Sequence, residues 1–305
     1  MNSTATSIDS RGLALGVGAY ALWGVLPLYI HLLRHVPALQ FLAHRVIWSV
    51  VLLAVIVLAL RRGRAILAAA RGRTLLMLLA SALLIGVNWI VYIWAVQHAH
   101  VLEASLGYFI NPLLNVALGM AVLGERVRRL QGVAIGIAAL GVTILAVSGG
   151  GAIWISLALA SSFGVYGLVR KIVAIDALGG LTVETLLLAP FCLALLVYAD
   201  INGDGAWGQS LGLDLLLVFS GALTASPLLM FAAAARRMPY STLGLLQYIA
   251  PSIQFGLAVL VFGEPLRPAQ LVTFVLIWGG CALYAIDSVR AARAAPPAQD
   301  IQPTG

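Results

Sequence analysis

Long apolar runs broken by short clusters of charge organise this chain. No Asp, Glu, Lys or Arg interrupts the stretches Gly12 to Ile30, Val46 to Leu60, Thr74 to Gln97, Ala104 to Gly124, Leu130 to Val169, Leu186 to Ala199, Leu215 to Ala235 and Met238 to Gly263. A helix rises about 1.5 Å per residue and a hydrocarbon layer is about 30 Å thick, so roughly 20 apolar residues cross it. Each run holds one such helix, and the run from Leu130 holds two, split by Gly149, Gly150 and Gly151. The pattern predicts helices over 12–30, 38–60, 74–97, 101–123, 130–148, 152–170, 182–199, 213–235, 240–262 and 270–288. A transmembrane barrel would need strands of about ten residues alternating polar and apolar, and no such alternation is visible.

Within this pattern lies a repeat. Ile110-Asn111-Pro112 through Leu123-Gly124-Glu125, followed by Arg128 and Gln131, returns 139 residues later as Ile249-Ala250-Pro251 through Phe262-Gly263-Glu264, followed by Arg267 and Gln270. Phe163-Gly164 echoes Trp23-Gly24 at nearly the same offset. Five spans per half is an odd number, so a second half that follows directly on the first is inverted in the membrane. The expected fold is therefore an all-α integral membrane protein of ten transmembrane helices, built as two inverted five-helix repeats. Residues 1–11 form a cytoplasmic N-terminus, 12–148 the first repeat, 152–288 the second, and 289–305, with Pro296, Pro297 and Pro303, a disordered cytoplasmic tail. Inverted repeats recur in secondary transporters, where two similar halves exchange inward-open and outward-open arrangements around one site.

Composition agrees: 62% hydrophobic and 10% charged residues give more apolar surface than one soluble core hides. The net charge of +7 does not call for nucleic acid, because the basic residues sit in short loops beside the spans. With the N-terminus inside, cytoplasmic segments hold Arg11, Arg61, Arg62, Arg64, Arg71, Arg73, Arg126, Arg128, Arg129, Arg170, Lys171, Arg236, Arg237, Arg290 and Arg293, leaving Arg34, Arg45 and Arg267 opposite. The positive-inside rule thus places both termini in the cytoplasm. The stretch before Gly12 lacks a cleavage site, so the first span is read as retained. Cys192 and Cys281 fall inside predicted spans and read as packing residues without a disulfide.

Several long segments resemble a known family. They include Ala19-Tyr20-Ala21-Leu22-Trp23-Gly24 with Pro27 and Tyr29, His44-Arg45-Val46-Ile47-Trp48-Ser49, Asn88-Trp89 with Ile93-Trp94-Ala95-Val96, and Leu102 through Leu113 continuing to Glu125-Arg126. In the second half the matching segments are Tyr166 through Lys171, Glu184-Thr185-Leu186, Ser241 through Gly244 and Gln247-Tyr248-Ile249. Together they resemble the EamA-type branch of the drug/metabolite transporter superfamily, and within it the RarD permeases linked to chloramphenicol sensitivity. The resemblance covers about Gly18 to Asp287. It implies a ten-helix permease of the bacterial cytoplasmic membrane that moves a small metabolite or drug-like solute, with no enzymatic activity and no cofactor.

An ionisable side chain at mid-membrane costs at least about 2.5–3.5 kcal/mol to insert, so a retained one faces protein or a wet cavity. His44, Arg45, Glu103 and Glu184 are such candidates; Arg45, eight residues past Pro37, is also within reach of snorkelling to the interface. Glu103, Gly107, Asn111 and Asn115 follow at four-residue spacing on one helix face, with Tyr108 beside it, a stripe that suits either solute contact or helix packing. The repeat offset pairs Tyr108 with Gln247 and Asn115 with Gln254, polar again in the other half. Pro112 and Pro251 read as kinks that set helix shape or act as hinges. Asn88 and Tyr92 with Trp89, Tyr20 with Trp23, and His44 with Trp48 add aromatic surface. An aromatic cavity with few polar anchors suits a partly apolar solute. Proton coupling is expected at Glu103, while Glu125 and Glu264 read as structural, closing helix ends or pairing with nearby arginines.

Other classes fare badly. The chain has no His-Glu-x-x-His, no Gly-x-Ser-x-Gly elbow and no Gly-Lys-Ser/Thr phosphate loop after Gly149 to Gly151. His98 and His100 flank Ala99 without a third ligand nearby, so no metal site is expected. A channel or scaffold remains the alternative to a carrier. The Gly12-xxx-Gly16 and Gly132-xxx-Gly136 pairs admit close helix contacts, inside the bundle or in a homodimer.

Overall fold

Inside lipid no water satisfies an unpaired N–H or C=O, so a span must pair its own backbone, and helix is what an isolated apolar run can do. The computed structural model describes residues 10–123, 128–148, 152–235, 237 and 246–294, and among them every regular element is helical. In order these are α1 (Ser10–Leu32), α2 (Ala38–Ala59), α3 (Gly63–Ala69), α4 (Gly72–Gln97), α5 (Val101–Leu123), α6 (Arg129–Val147), α7 (Ile153–Ile172), α8 (Ala177–Ile201), α9 (Leu211–Ala235), α10 (Ile249–Gly256, continued by a π-helical turn over Leu257–Val261) and α11 (Pro268–Ala294). Six of them, α1, α2, α4, α7, α8 and α9, contain stretches long and apolar enough to cross a membrane. Shorter apolar stretches lie in α6, α10 and α11.

Departures from the predicted spans sit at their ends. α8 begins at Ala177 rather than at 182, because Asp176 caps it by accepting the Gly179 N–H at 3.0 Å. The hydropathy pattern set that start late because Glu184 interrupts the apolar run. The short α3 in the basic stretch between α2 and α4 was not expected. α11 runs on to Ala294, into the segment assigned to a disordered tail. Of the predicted helix at 240–262, residues 240–245 lie outside the described residues, as do Glu125, Arg126 and Gly149 to Gly151.

The distribution of exposure is the reverse of a soluble protein's. Val147 and Leu260 are 80% and 84% exposed, whereas Arg45 is 5% exposed and Asn111 and Glu184 are fully buried. Many large apolar side chains face outward, and polar and charged ones are buried alongside the apolar core, the arrangement a lipid solvent demands. The chain is thus a multi-pass membrane protein.

Helices pack in a closed set of pairs. α6 lies along α11, α5 against α7, and α2 against both α8 and α9; α1 meets α9 and α10, α4 meets α7 and α8, and α5 also touches α10. Two glycines set how close these approaches are. A Cβ on Gly107 of α5 would stand 2.9 Å from the Ser156 carbonyl oxygen of α7, and one on Gly221 of α9 would stand 2.5 Å from the Trp48 carbonyl carbon of α2. Gly12 abuts Arg237, while a Cβ on Gly132 or Gly136 would meet nothing within 4 Å among the described residues. The main apolar core gathers Ile30, Phe41, Ile93, Phe109 and Phe274 from α1, α2, α4, α5 and α11.

Candidate functional site

α2 carries His44, Arg45 and Trp48 into the bundle on two adjoining faces. Residues i and i+4 share a face, so His44 and Trp48 point together, and Arg45 lies about 100° round the helix. The structure sends them to different places. His44 and Trp48 pack against Trp207 in the loop between α8 and α9, with ring centroids 5.8 and 5.5 Å apart. That loop is fastened to α2 by Gln40, whose side chain donates to the Asp204 carbonyl at 2.9 Å and accepts the Ala206 N–H at 3.0 Å. Beside the three rings lies a cavity of about 270 Å³, lined by Gln40, His44, Trp48, Asp200 and Trp207 among others.

Arg45 turns to the centre instead. Its Nε donates to the Thr224 hydroxyl of α9 at 2.6 Å, and that hydroxyl donates in turn to the Ser220 carbonyl at 2.9 Å. The guanidinium carbon sits 4.7 Å from the centroid of Trp89 on α4, a cation–π placement. One turn along α4 from Trp89 and its neighbour Asn88, Tyr92 stacks edge-on to Tyr108 of α5 at 5.5 Å. Asn88 is the knot among α4, α5 and α7. Its amide nitrogen donates to the Leu159 carbonyl at 3.1 Å and to the Ser162 hydroxyl at 3.0 Å, and its oxygen accepts from Tyr108 at 3.2 Å. Arg45, Asn88, Trp89, Tyr92 and Tyr108 therefore form one buried group. Among the described residues the Tyr92 hydroxyl and both polar atoms of Asn111, further along α5, are buried without a hydrogen-bond partner, which marks them as unspent polar capacity in the bundle.

The remaining candidates stand elsewhere. Trp23 joins Tyr20 and Phe231 in a separate aromatic cluster, and its backbone carbonyl accepts from the Gln254 amide at 3.1 Å. Gln247 is half-buried, and the side chain of Asn115 lies outside the described residues. Glu184 accepts from the Ser81 hydroxyl at 2.5 Å and from the Tyr166 hydroxyl at 3.3 Å, and pairs with Arg170 at 3.6 Å. It sits in its own polar group among α4, α7 and α8.

Glu103 lies in the first turn of α5, not midway along it. One carboxylate oxygen accepts from Gln270 of α11 at 3.1 Å, and the other stands 3.5 Å from the ring of His100. Its backbone carbonyl accepts from Ser156 at 2.7 Å, so the Glu103–Gly107 part of the expected stripe is a packing face against α7. Beside it Glu264, reaching from the loop before α11, accepts the N–H groups of Val101 and Leu102 at 2.7 and 2.8 Å. It closes the N-terminus of α5, where the helix dipole favours a negative charge. Burial raises the Glu264 carboxyl above its ordinary value, while the two backbone donors act to lower it.

Thr224, Ser162 and Ser81 went unmarked in the sequence, and Gln270 was marked only as the repeat counterpart of Gln131. Each lies in or beside a predicted span, and single Ser, Thr and Gln residues there are too common to mark a partner without the neighbouring helix in view. Among the described residues no group of three His, Cys, Asp or Glu could hold a metal ion.

Comparison with known proteins adds a lineage. The model of the EamA-like transporter family matches the chain twice, over residues 10–147 and 150–286. The chain is 45% identical over 287 residues to an uncharacterized transporter of Vibrio cholerae serotype O1, covering 93% of this chain and 95% of that one. It is 45% identical over 284 residues to protein RarD of Streptomyces exfoliatus (92% and 90% covered) and 42% identical over 281 residues to protein RarD of Escherichia coli strain K12 (92% and 95% covered). A solved crystal structure superposes with a TM-score of 0.61 at 22% identity, over 93% of this chain and all of the other, a likeness of fold alone.

Proposed function

The chain belongs to the EamA-like transporter family, and from that premise we propose that it is a secondary carrier that moves a small organic metabolite or drug-like solute by alternating access. Its ten spans stand in the bacterial cytoplasmic membrane as two inverted halves, with both termini inside. One observation carries the reading: the family model fits each half of the chain separately. The packing supports it, because exchanging the halves maps the most extensive helix pairs onto one another or onto themselves. α1 on α9 and α10 corresponds to α7 on α4 and α5, and α2 on α9 corresponds to α8 on α4. Two halves with interchangeable contacts are what an alternation between two arrangements of one site requires.

The solute site in this reading is the buried group around Arg45, Asn88, Trp89, Tyr92 and Tyr108. Coupling to protons falls to Glu103, which is 7% exposed and flanked by His100 and Gln270. The test is a screen of labelled metabolites and amphenicol-like compounds in proteoliposomes under an imposed proton gradient. Saturable, gradient-dependent flux is expected. Non-saturating ion flux at channel rates would replace the carrier with a pore, and unchanged gradient-driven flux after Glu103→Gln would remove Glu103 from the coupling.

A further inference from the structure

We propose that the interior of the bundle takes a small organic carboxylate, seated on the guanidinium of Arg45; this deepens the carrier reading and rests on it. Arg45 is 5% exposed, and its side chain makes one hydrogen bond, from Nε to Thr224. None of the ion pairs among the described residues involves it. Among the described residues no hydrogen-bond acceptor meets its two terminal nitrogens, the end of the guanidinium that grips an oxyanion with two parallel bonds. Removing a cation from water without giving it an anion is strongly unfavourable, so a retained one invites a ligand that supplies the charge.

The position equivalent to Arg45 in the other half shows what a protein-satisfied charge looks like here. Arg45 is the eighth residue of α2 and Glu184 the eighth of α8, and the two are separated by the 139-residue offset of the repeat. Glu184 accepts hydrogen bonds from Ser81 and Tyr166 and faces the Arg170 guanidinium at 3.6 Å. At the same register, one half has neutralised its charge within the chain and the other has not.

The surroundings narrow the class. Trp89 covers one face of the guanidinium, and the phenols of Tyr108, Tyr92 and Tyr29 lie within its electrostatic reach. A single unmatched positive charge in aromatic walls is balanced by a monoanion with an apolar body. An inorganic phosphate dianion would leave a net negative charge buried. The orphaned Tyr92 hydroxyl is a donor of the kind a carboxylate oxygen accepts.

The experiment compares isosteres on the purified full-length chain in detergent, by calorimetry and thermal shift. Phenylacetate is expected to bind saturably, with phenylacetamide, phenethylamine and inorganic phosphate at least about tenfold weaker. Arg45→Gln is expected to abolish the preference for the anion, and Arg45→Lys to keep it at reduced affinity. Equal binding of phenylacetate and phenylacetamide by the unaltered chain overturns the proposal, and that comparison needs no variant to fold. So does anion binding that survives Arg45→Gln. Proteoliposomes that carry a neutral solute equally well with Arg or Gln at position 45 leave the carrier standing and remove the anion seat. Arg45-dependent phenylacetate binding without flux of any solute does the reverse.

Discussion

Gln131 and Gln270, 139 residues apart, fold back on their own helices in the same way: each side-chain oxygen accepts the N–H of the residue three before it, Arg128 at 3.1 Å and Arg267 at 2.9 Å. The two bonds stop the first turns of α6 and α11 from leaving an orphan donor. Among the described residues only Gln270 has a second task, donating to the buried carboxylate of Glu103. Gln131→Ala is expected to cost about 0.5–1.5 kcal/mol, and Gln270→Ala about 1.5–3 kcal/mol more, the worth of a hydrogen bond to a charged group. Thermal unfolding in detergent measures the difference, and equal losses would show that the Glu103 contact contributes nothing.

Glu264 spans two parts of the chain distant in sequence, since its carboxylate caps a helix that begins at Val101. Glu264→Ala should destabilise the protein by about 1–2 kcal/mol through loss of the cap. Glu264→Gln, which keeps one acceptor, should recover part of that loss in the same assay. Identical melting of all three proteins would refute the capping role.

Removing the Asn88 side chain takes the acceptor from the Tyr108 hydroxyl and a donor from the Leu159 carbonyl, while the Ser162 hydroxyl keeps its bond to the Ala158 carbonyl at 2.6 Å. Asn88→Leu is therefore expected to cost about 1–3 kcal/mol, more than the loss of one neutral bond. Solute affinity should fall with it, because Tyr108 loses the bond that orients it. A variant that melts normally and binds normally would show that Asn88 holds nothing in place.

Glu184 is buried and its partner Arg170 half-buried, so breaking the pair is worse than never having it. Arg170→Met should destabilise by about 3–5 kcal/mol, by leaving a carboxylate uncompensated. Adding Glu184→Gln should restore much of the loss, since Ser81 and Tyr166 still have a partner. Without that rescue in the double variant, the damage would trace to the Arg170 bond with the Asp176 carbonyl at 3.1 Å.

Arg62 with Asp176 and Arg128 with Asp287 form ion pairs at 2.6 Å each. In the proposed topology all four residues lie on the cytoplasmic side, and Gln209 lies outside. Single cysteines at 62 and 128 should react with a membrane-impermeant maleimide only in inverted vesicles, and one at 209 only in intact cells. The opposite pattern would turn the whole bundle over.

Much of the architecture was legible because lipid leaves the backbone so few choices. Runs such as Val46–Leu60 announce helices, and the shared motif around Pro112 and Pro251 announces their duplication. Side-chain partnerships were harder. His44 and Arg45 are neighbours in sequence, yet one meets Trp207 and the other Trp89, because 100° of helix rotation separates them. Glu103 groups with the mid-membrane ionisable residues in the sequence, although the predicted helix over 101–123 already sets it in a first turn, where the structure has it. Glu264 read as a helix-closing residue. That the helix it closes belongs to the other half could not be seen without the packing, for nothing local in the sequence links position 264 to position 101.

The α6–α11 pairing bears on how the molecule is made. Each of these helices closes its own half in sequence, yet their most extensive contact is with each other, and at one end of the seam Arg128 is latched to Asp287. A ribosome releasing the first half alone exposes a helix whose docking partner has not been synthesised. Separate plasmids encoding residues 1–149 and 150–305 should therefore yield two fragments that accumulate only when expressed together.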